Sequence, residues 1–152
     1  MSETIDPLAV ETWSRLYRTF NLLIRRGREE LSDLGISGPQ YGVLRILSRE
    51  GALPMGKISE ELLVTTGNVT GLVSRLVQEG LVSRQHGIRD RRVVRIHLTP
   101  AGKTLVEKAA RRHHRLLTEV FSGFSPAEKK QLLGLLGKLE GRLRDDGGRG
   151  NI

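Results

Sequence analysis

The sequence predicts a mainly helical α+β fold in which one β-hairpin lies between two groups of helices. Apolar residues recur with helical spacing through most of the 152 residues, which favours amphipathic helices. Two β-rich runs, residues 81–86 and 93–98, flank a polar stretch and predict a two-stranded hairpin. A hydrophobic content of 38% over this length supports one core and one domain.

The N-terminal region, residues 1–34, is predicted to form one long amphipathic helix that starts near Leu8. Asp6 suits the N-cap of this helix. Pro7 suits the first helical position, where the N–H that proline lacks has no partner in any case. We therefore expect a single helix to fill most of this region.

Three further helix starts are predicted at residues 37–40, 99–100 and 125–128. The first and last are capping boxes, in which a serine is followed three residues later by Gln or Glu. The middle one is a threonine cap followed by proline. One helix should follow the first cap, and two more should fill residues 99–144. The Gly-rich tail 145–152 is predicted to be disordered.

Residues 35–98 carry the pattern of a winged helix-turn-helix. A short helix with Ile58 and Leu62 leads through a tight connection to a second helix, which stops at Gly80. One face of the second helix is apolar, and its small, polar opposite face is typical of a helix that enters the major groove of DNA. An ordinary solvated face is the alternative. The outward residues are Gly67, Asn68, Gly71, Ser74, Arg75 and Gln78.

The hairpin is the most basic part of the sequence. Residues 84–95 hold five arginines and one aspartate, which is half of the net charge of +8. Such a patch releases counterions when it neutralises phosphates, so we expect it to supply much DNA affinity with a steep salt dependence. Arg89, Arg91 and Arg92 are predicted to reach into a narrow minor groove, and Asp90 to orient an arginine. A merely solvated, charged hairpin is the alternative.

The terminal helices carry more apolar positions than the winged region can cover. Self-association accounts for the surplus, so residues 1–34 and 99–144 are predicted dimerisation helices and a homodimer is the expected assembly. A helical bundle within a monomer is the alternative.

Several functional classes are disfavoured by what the sequence lacks. Without cysteine there is no disulfide, thiolate metal site or thiol redox switch. The histidines show no metal-ligand spacing and no catalytic pair stands out, so we expect no enzyme, no metal and no cofactor. No segment approaches the roughly 20 apolar residues of a membrane span, which predicts a soluble, cytoplasmic protein. All six aromatic residues lie outside residues 42–120, which argues against single-strand and RNA binding.

A set of positions in the helix-turn-helix and hairpin follows a known pattern: Val69, Thr70, Leu76, Gly80, Leu81, Val82, Arg84, Asp90, Arg91, Arg92, Leu98, Thr99 and Gly102. This segment resembles the MarR family of winged helix-turn-helix regulators. The resemblance implies a dimer of intertwined terminal helices, whose two recognition helices meet successive major grooves of a pseudo-palindrome. It also implies that Arg92 enters the minor groove with Asp90 as its orienting partner. On the recognition helix it implies DNA contacts from Thr66, Asn68, Thr70 and Arg75.

One position departs from the family pattern. Gly71 stands where many members carry a basic or polar side chain. Sequence preference is therefore expected to depend on neighbouring residues or on DNA shape.

Three aromatic residues, Trp13, Tyr17 and Tyr41, are candidates for a ligand pocket between the dimer helices and the winged region. The resemblance implies that aromatic anions bind there and weaken DNA binding. A small-molecule effector at this site is expected to change the spacing of the two recognition helices. The alternative is that the three rings belong simply to the core.

Three functions remain after these exclusions. The sequence favours a sequence-specific regulator, a repressor that binds a pseudo-palindromic operator in double-stranded DNA and is released by a small molecule. The others are a non-specific architectural DNA-binding protein and a winged helix used only for protein contacts.

Overall fold

The computed structural model describes residues 5–87 and 92–147, with side chains described up to residue 144. Its elements are α1 (Pro7–Leu31), α2 (Gly38–Glu50), β1 (Leu53–Pro54), α3 (Met55–Leu62), α4 (Thr66–Gln78), β2 (Val82–His86), β3 (Val94–Leu98), α5 (Pro100–Val120) and α6 (Pro126–Gly147). A turn of 3₁₀-helix, Ser32–Leu34, follows α1. The mainly helical α+β class and the winged helix-turn-helix order are confirmed. The chain forms two compact units, Met1–Leu116 and Leu117–Ile152.

The helices begin where the sequence places their caps. Asp6 caps α1 through its carboxylate. Before α2, the Gln40 N–H donates to Ser37 Oγ at 3.2 Å and the Ser37 N–H donates to Gln40 Oε1 at 2.9 Å. Ser125 and Glu128 form the same reciprocal pair before α6. The Ser125 backbone N–H, which donates to the carboxylate, holds the pKa of Glu128 below its ordinary value.

The hairpin belongs to a three-stranded antiparallel sheet of order β1-β3-β2. β2 and β3 pair over their whole length, as predicted. β1 adds a third strand on the other side of β3, with Leu53 opposite Ile96. Two residues are too few to show the alternation that marks a strand, so the pairing of β1 with β3 could not be predicted.

One core holds the winged region together. Its fully buried large side chains come from α2, α3, α4 and β3: Val43, Leu44, Ile58, Val69, Val73, Leu76 and Ile96. Leu31 at the end of α1, and Val106 and Ala109 of α5, join the same core. Since folded cores are close-packed, α4 and the sheet are held on a rigid scaffold that includes parts of α1 and α5.

Much apolar surface stays exposed on the first and last helices. On α1 the exposed large side chains are Leu8, Val10, Trp13, Tyr17, Phe20, Leu22 and Ile24. On α6 they are Leu132, Leu133, Leu135, Leu136, Leu139 and Leu143. Soluble monomers rarely expose apolar patches of this extent, so both helices carry surface suited to a further partner.

The last helix runs further than the sequence indicated. The predicted disordered tail starts at residue 145, but α6 continues to Gly147. The first glycine of the predicted tail is Gly147, so neither glycine nor proline interrupts the helix at residues 145 and 146. Residues 148–152 lie outside the described part of the chain.

None of the helices in residues 5–87 and 92–147 combines the length and apolarity that crossing a bilayer requires.

Candidate nucleic-acid interface

Helices α3 and α4 and the turn between them form a helix-turn-helix. The turn is made at Leu63, whose backbone is left-handed with φ of 54° and whose side chain is 90% exposed. Thr65 caps α4, because its Oγ1 accepts a hydrogen bond from the Asn68 N–H at 3.4 Å. Val69 and Val73 are buried in the core. The opposite face of α4 therefore points away from the protein.

Three long polar side chains of this outward face are free to bind a ligand. Asn68, Arg75 and Gln78 are exposed. None of their side chains has a hydrogen bond or ion pair with residues that the structure describes. Their positions i, i+7 and i+10 lie on one side of a helix. Amide side chains of this kind pair with adenine edges, and arginine pairs with guanine or phosphate.

The hydroxyl groups predicted on the same face already have partners within the protein. Thr70 Oγ1 donates to the Thr66 carbonyl at 2.9 Å. Thr66 Oγ1 lies 3.4 Å from Ser59 Oγ. Ser74 Oγ accepts a hydrogen bond from Arg84 Nη2 at 2.8 Å. These side chains therefore retain less hydrogen-bonding capacity for a ligand than the amides and the guanidinium.

Two glycines give α4 a thin outward face. A Cβ added at Gly67 or at Gly71 would meet nothing within 4 Å. A glycine inside a helix costs about 1 kcal/mol relative to alanine, and packing inside the protein requires neither of them. They border an open groove of about 450 Å³ whose walls include Leu62, Val64 and Leu72. The predicted close approach to this helix is sterically open.

Arginines in the strands of the hairpin are tied to neighbouring elements. Arg95 Nη1 donates to the Ala52 carbonyl at 3.1 Å, and Arg84 reaches from β2 to α4. Arg92 is exposed where the chain returns toward β3. The remaining predicted tip residues, Arg89, Asp90 and Arg91, lie outside the residues that the structure describes. Positive charge thus extends from the middle of the hairpin strands toward the tip.

The three aromatic residues predicted for a ligand pocket lie in two environments. Trp13 and Tyr17 are exposed on α1, with ring centroids 6.0 Å apart. Tyr41 is buried in the core, 5.5 Å from the ring of His113. Burial raises the pKa of Tyr41 and lowers the pKa of His113, because each charged form loses hydration. The positive charge of Arg45 lowers the pKa of His113 further.

Two side-chain contacts between distant elements had no signal in the sequence. Ser74 and Arg84 lie on different elements, and no spacing rule predicts that they meet. The same holds for Tyr41 of α2 and His113 of α5. Contacts of this kind depend on how the folded chain brings distant elements together.

An outward helix with free polar side chains beside an arginine-rich hairpin defines a winged-helix DNA-binding protein. The MarR family model matches residues 36–94, from just before α2 to the first residue of β3. The chain belongs to the MarR family of transcriptional regulators, and it is not an enzyme.

Relatives and solved structures cover most of the chain. The uncharacterised HTH-type transcriptional regulator YkoM of Bacillus subtilis is 32% identical, over 85% of this chain and 86% of YkoM. A MarR family protein from Bacillus stearothermophilus is 32% identical with a TM-score of 0.72, over 93% of this chain and 99% of that one. BpsR of Bordetella bronchiseptica, whose DNA binding is regulated by 6-hydroxynicotinic acid, is 26% identical with a TM-score of 0.78. That similarity covers 86% of this chain and 98% of BpsR.

Proposed function

We propose that this protein is a transcriptional repressor that binds a pseudo-palindromic operator as a homodimer and is released by a small aromatic anion. One observation carries the DNA-binding part. The free side chains of Asn68, Arg75 and Gln78 lie on the outward face of α4, which the chain connects directly to the arginine-bearing hairpin. In the major groove these side chains meet base edges that they can distinguish.

The hairpin supplies the second part of the contact. Arg92, together with Arg89 and Arg91, enters the minor groove next to the major groove that α4 occupies, and Asp90 orients one of these arginines. A narrow minor groove has the most negative potential on the duplex and attracts arginine. Each neutralised phosphate adds affinity that falls as salt rises.

The homodimer follows from the exposed apolar side chains of α1 and α6. Leu133 and Leu143 are 68% and 66% exposed. Burying one such side chain fully contributes about 1.5–3 kcal/mol, so a second copy that covers these faces gains substantial free energy. A two-fold axis then places the two copies of α4 in major grooves one helical turn apart.

Release by a ligand is proposed at the aromatic residues of α1 and α2. BpsR is regulated by 6-hydroxynicotinic acid, a hydroxylated aromatic acid. Trp13 and Tyr17 offer apolar ring surface for such a molecule, and Arg45, near Tyr41, offers a positive charge for its carboxylate. A ligand that binds better when the two α4 helices have the wrong spacing for the operator draws the dimer off the DNA.

The first DNA to test for binding is the region that flanks the protein's own gene. Footprinting should show two protected half-sites with centres about 10 base pairs apart. Fluorescence anisotropy should show at least about a thousandfold preference for that site over random duplex. In vitro transcription from the overlapping promoter should fall as the protein is added. Increased transcription would contradict repression.

The two alternative functions predict different outcomes of the same binding experiment. Similar affinity for the flanking DNA and for random duplex indicates an architectural protein. Failure to bind any duplex at low ionic strength indicates a winged helix used for protein contacts.

A second experiment tests release by a ligand. Aromatic carboxylates such as salicylate are titrated into free and DNA-bound protein. Equal affinity in the two titrations contradicts release by such a ligand.

A further inference from the structure

We infer that Ser74 and Arg84 together form a clamp for one backbone phosphate of the operator, at the junction of α4 and the hairpin. The inference rests on the proposed DNA binding and assigns a new role to both residues. In it Arg84 contacts the phosphodiester, and Ser74 is primarily the residue that positions the guanidinium.

The geometry of the pair is defined by the sheet. Arg84 lies opposite Ile96 in the β2–β3 pairing, and directly opposite residues of an antiparallel pair point to the same face. Ile96 is fully buried, so the stem of Arg84 starts on the face that packs against the helices. Its guanidinium emerges at the surface, where Nη2 donates to Ser74 Oγ at 2.8 Å. The pair therefore ties the hairpin to the last turns of α4.

The pair retains unused donors. A guanidinium has five N–H groups, and Ser74 takes one of them. The serine oxygen accepts this bond and keeps its own O–H for donation. None of the ion pairs between described residues involves Arg84. A positive charge, several free N–H groups and an adjacent O–H fit an anionic oxygen with more than one lone pair.

The position of the pair identifies this anion as a backbone phosphate. In the proposed complex α4 occupies a major groove and the hairpin reaches the neighbouring minor groove. One sugar–phosphate strand separates two neighbouring grooves. A side chain that bridges α4 and the middle of β2 lies over that strand. Ser74 and Arg84 form this bridge, whereas Asn68 lies nearer the start of α4.

A phosphate clamp makes a specific prediction about selectivity. Phosphate contacts position a protein on DNA and carry no direct sequence information. Loss of the clamp should therefore weaken binding to operator and to random duplex by similar factors. If Ser74 instead read a base, its loss would weaken only operator binding.

The first experiment measures operator and random-duplex affinity by anisotropy at several salt concentrations. Ser74→Ala should weaken both by about tenfold. Arg84→Ala should weaken both at least as much and reduce the slope of log affinity against log salt by about 0.9. Arg84→Lys keeps the charge and should keep the slope. The double variant should be only slightly weaker than Arg84→Ala, because Ser74 acts mainly through the guanidinium. Arg142→Ala, which removes an arginine from α6, is the charge control.

The second experiment locates the phosphate without changing the protein. Operators are prepared with a single neutral methylphosphonate at each position in turn. The wild-type protein should lose affinity at one phosphate between the major-groove and minor-groove contacts of each half-site. The Arg84→Ala protein should show no further loss at that position. Thermal melting by circular dichroism establishes that all variants are folded.

The outcomes separate the clamp from the proposed function. If the wild-type protein prefers the operator but Ser74→Ala changes neither affinity, or changes operator affinity alone, the clamp is overturned and the regulator remains. The clamp is likewise overturned if Arg84→Ala stays sensitive to every methylphosphonate. If the wild-type protein binds no duplex at low salt, the proposed function itself fails.

Discussion

Gly102, in the first turn of α5, lies against the backbone carbonyl of Leu81 so closely that a Cβ at this glycine would overlap the oxygen. The contact is reinforced by Thr99. Its N–H donates to the same Leu81 carbonyl at 3.1 Å, and its Oγ1 donates to the Gly80 carbonyl at 2.7 Å. The turn between α4 and β2 is therefore held directly on the start of α5.

Gly102→Ala is expected to destabilise the protein by about 1–3 kcal/mol, because the methyl group forces backbone out of a close-packed contact. Urea denaturation followed by circular dichroism measures the change. Gly56→Ala is the matched control, since a Cβ at Gly56 on α3 would meet nothing within 4 Å. Equal stability of the two variants would contradict the steric reason given for Gly102.

Leu63→Gly is expected to stabilise the protein by about 0.5–1 kcal/mol. The left-handed conformation costs a residue with a Cβ roughly 1–2 kcal/mol, and glycine removes this cost. The greater flexibility of glycine in the unfolded chain opposes the gain in stability by about 0.4–1 kcal/mol. Leu63→Ala shortens the side chain but keeps the strain, so it should give no comparable gain. A lower midpoint of thermal unfolding for the glycine variant would show that the exposed leucine packs productively.

Arg92→Ala is expected to weaken operator binding by about tenfold or more while the protein stays folded. The reason is the loss of a positive charge from the hairpin, where Arg92 is exposed. Anisotropy at moderate salt measures the effect. Lys130→Ala removes one charge from α6 and should leave operator affinity within about twofold of wild type. Unchanged operator affinity of the Arg92→Ala protein would contradict a DNA contact by the hairpin.

His113 should make folding stability depend on pH below neutrality. Its pKa in the folded protein lies below the ordinary value of 6.5, so in this window the unfolded chain binds more protons. The free energy of unfolding should therefore fall as the pH drops from about 6.5 to the folded-state pKa, and then level off. His113→Gln should reduce the difference in stability between pH 7 and pH 5. NMR titration of the ring protons gives the pKa directly, and a value at or above 6.5 would contradict the assignment.

The sequence was informative where local chemistry decides the structure. Capping residues such as Ser37 and Ser125 predicted helix starts, because a cap needs only its own neighbours in the chain. The outward face of α4 was predicted as well, since helical periodicity separates buried Val69 from exposed Asn68.

Features that depend on distant parts of the chain could not be predicted. The strand β1 exists because β3 offers it hydrogen bonds, and its two residues carry no pattern of their own. The different surroundings of Trp13 and Tyr41 have the same origin. Both are aromatic residues with helical spacing, but only Tyr41 lies where the core closes over it. The pocket that would bring these residues together in the dimer therefore stays a prediction.

Leu31 of α1 and Val106 of α5 are buried in the same core as α4 and the sheet. A displacement of α1 or of the start of α5 is therefore expected to move α4 and the sheet with it as one rigid body. Under the proposed release, a ligand bound against α1 needs to rotate this body only slightly to change the spacing of the two α4 helices. Each protomer of the proposed dimer keeps its affinity for one half-site under this motion. The two protomers can no longer bind both half-sites of one operator at the same time.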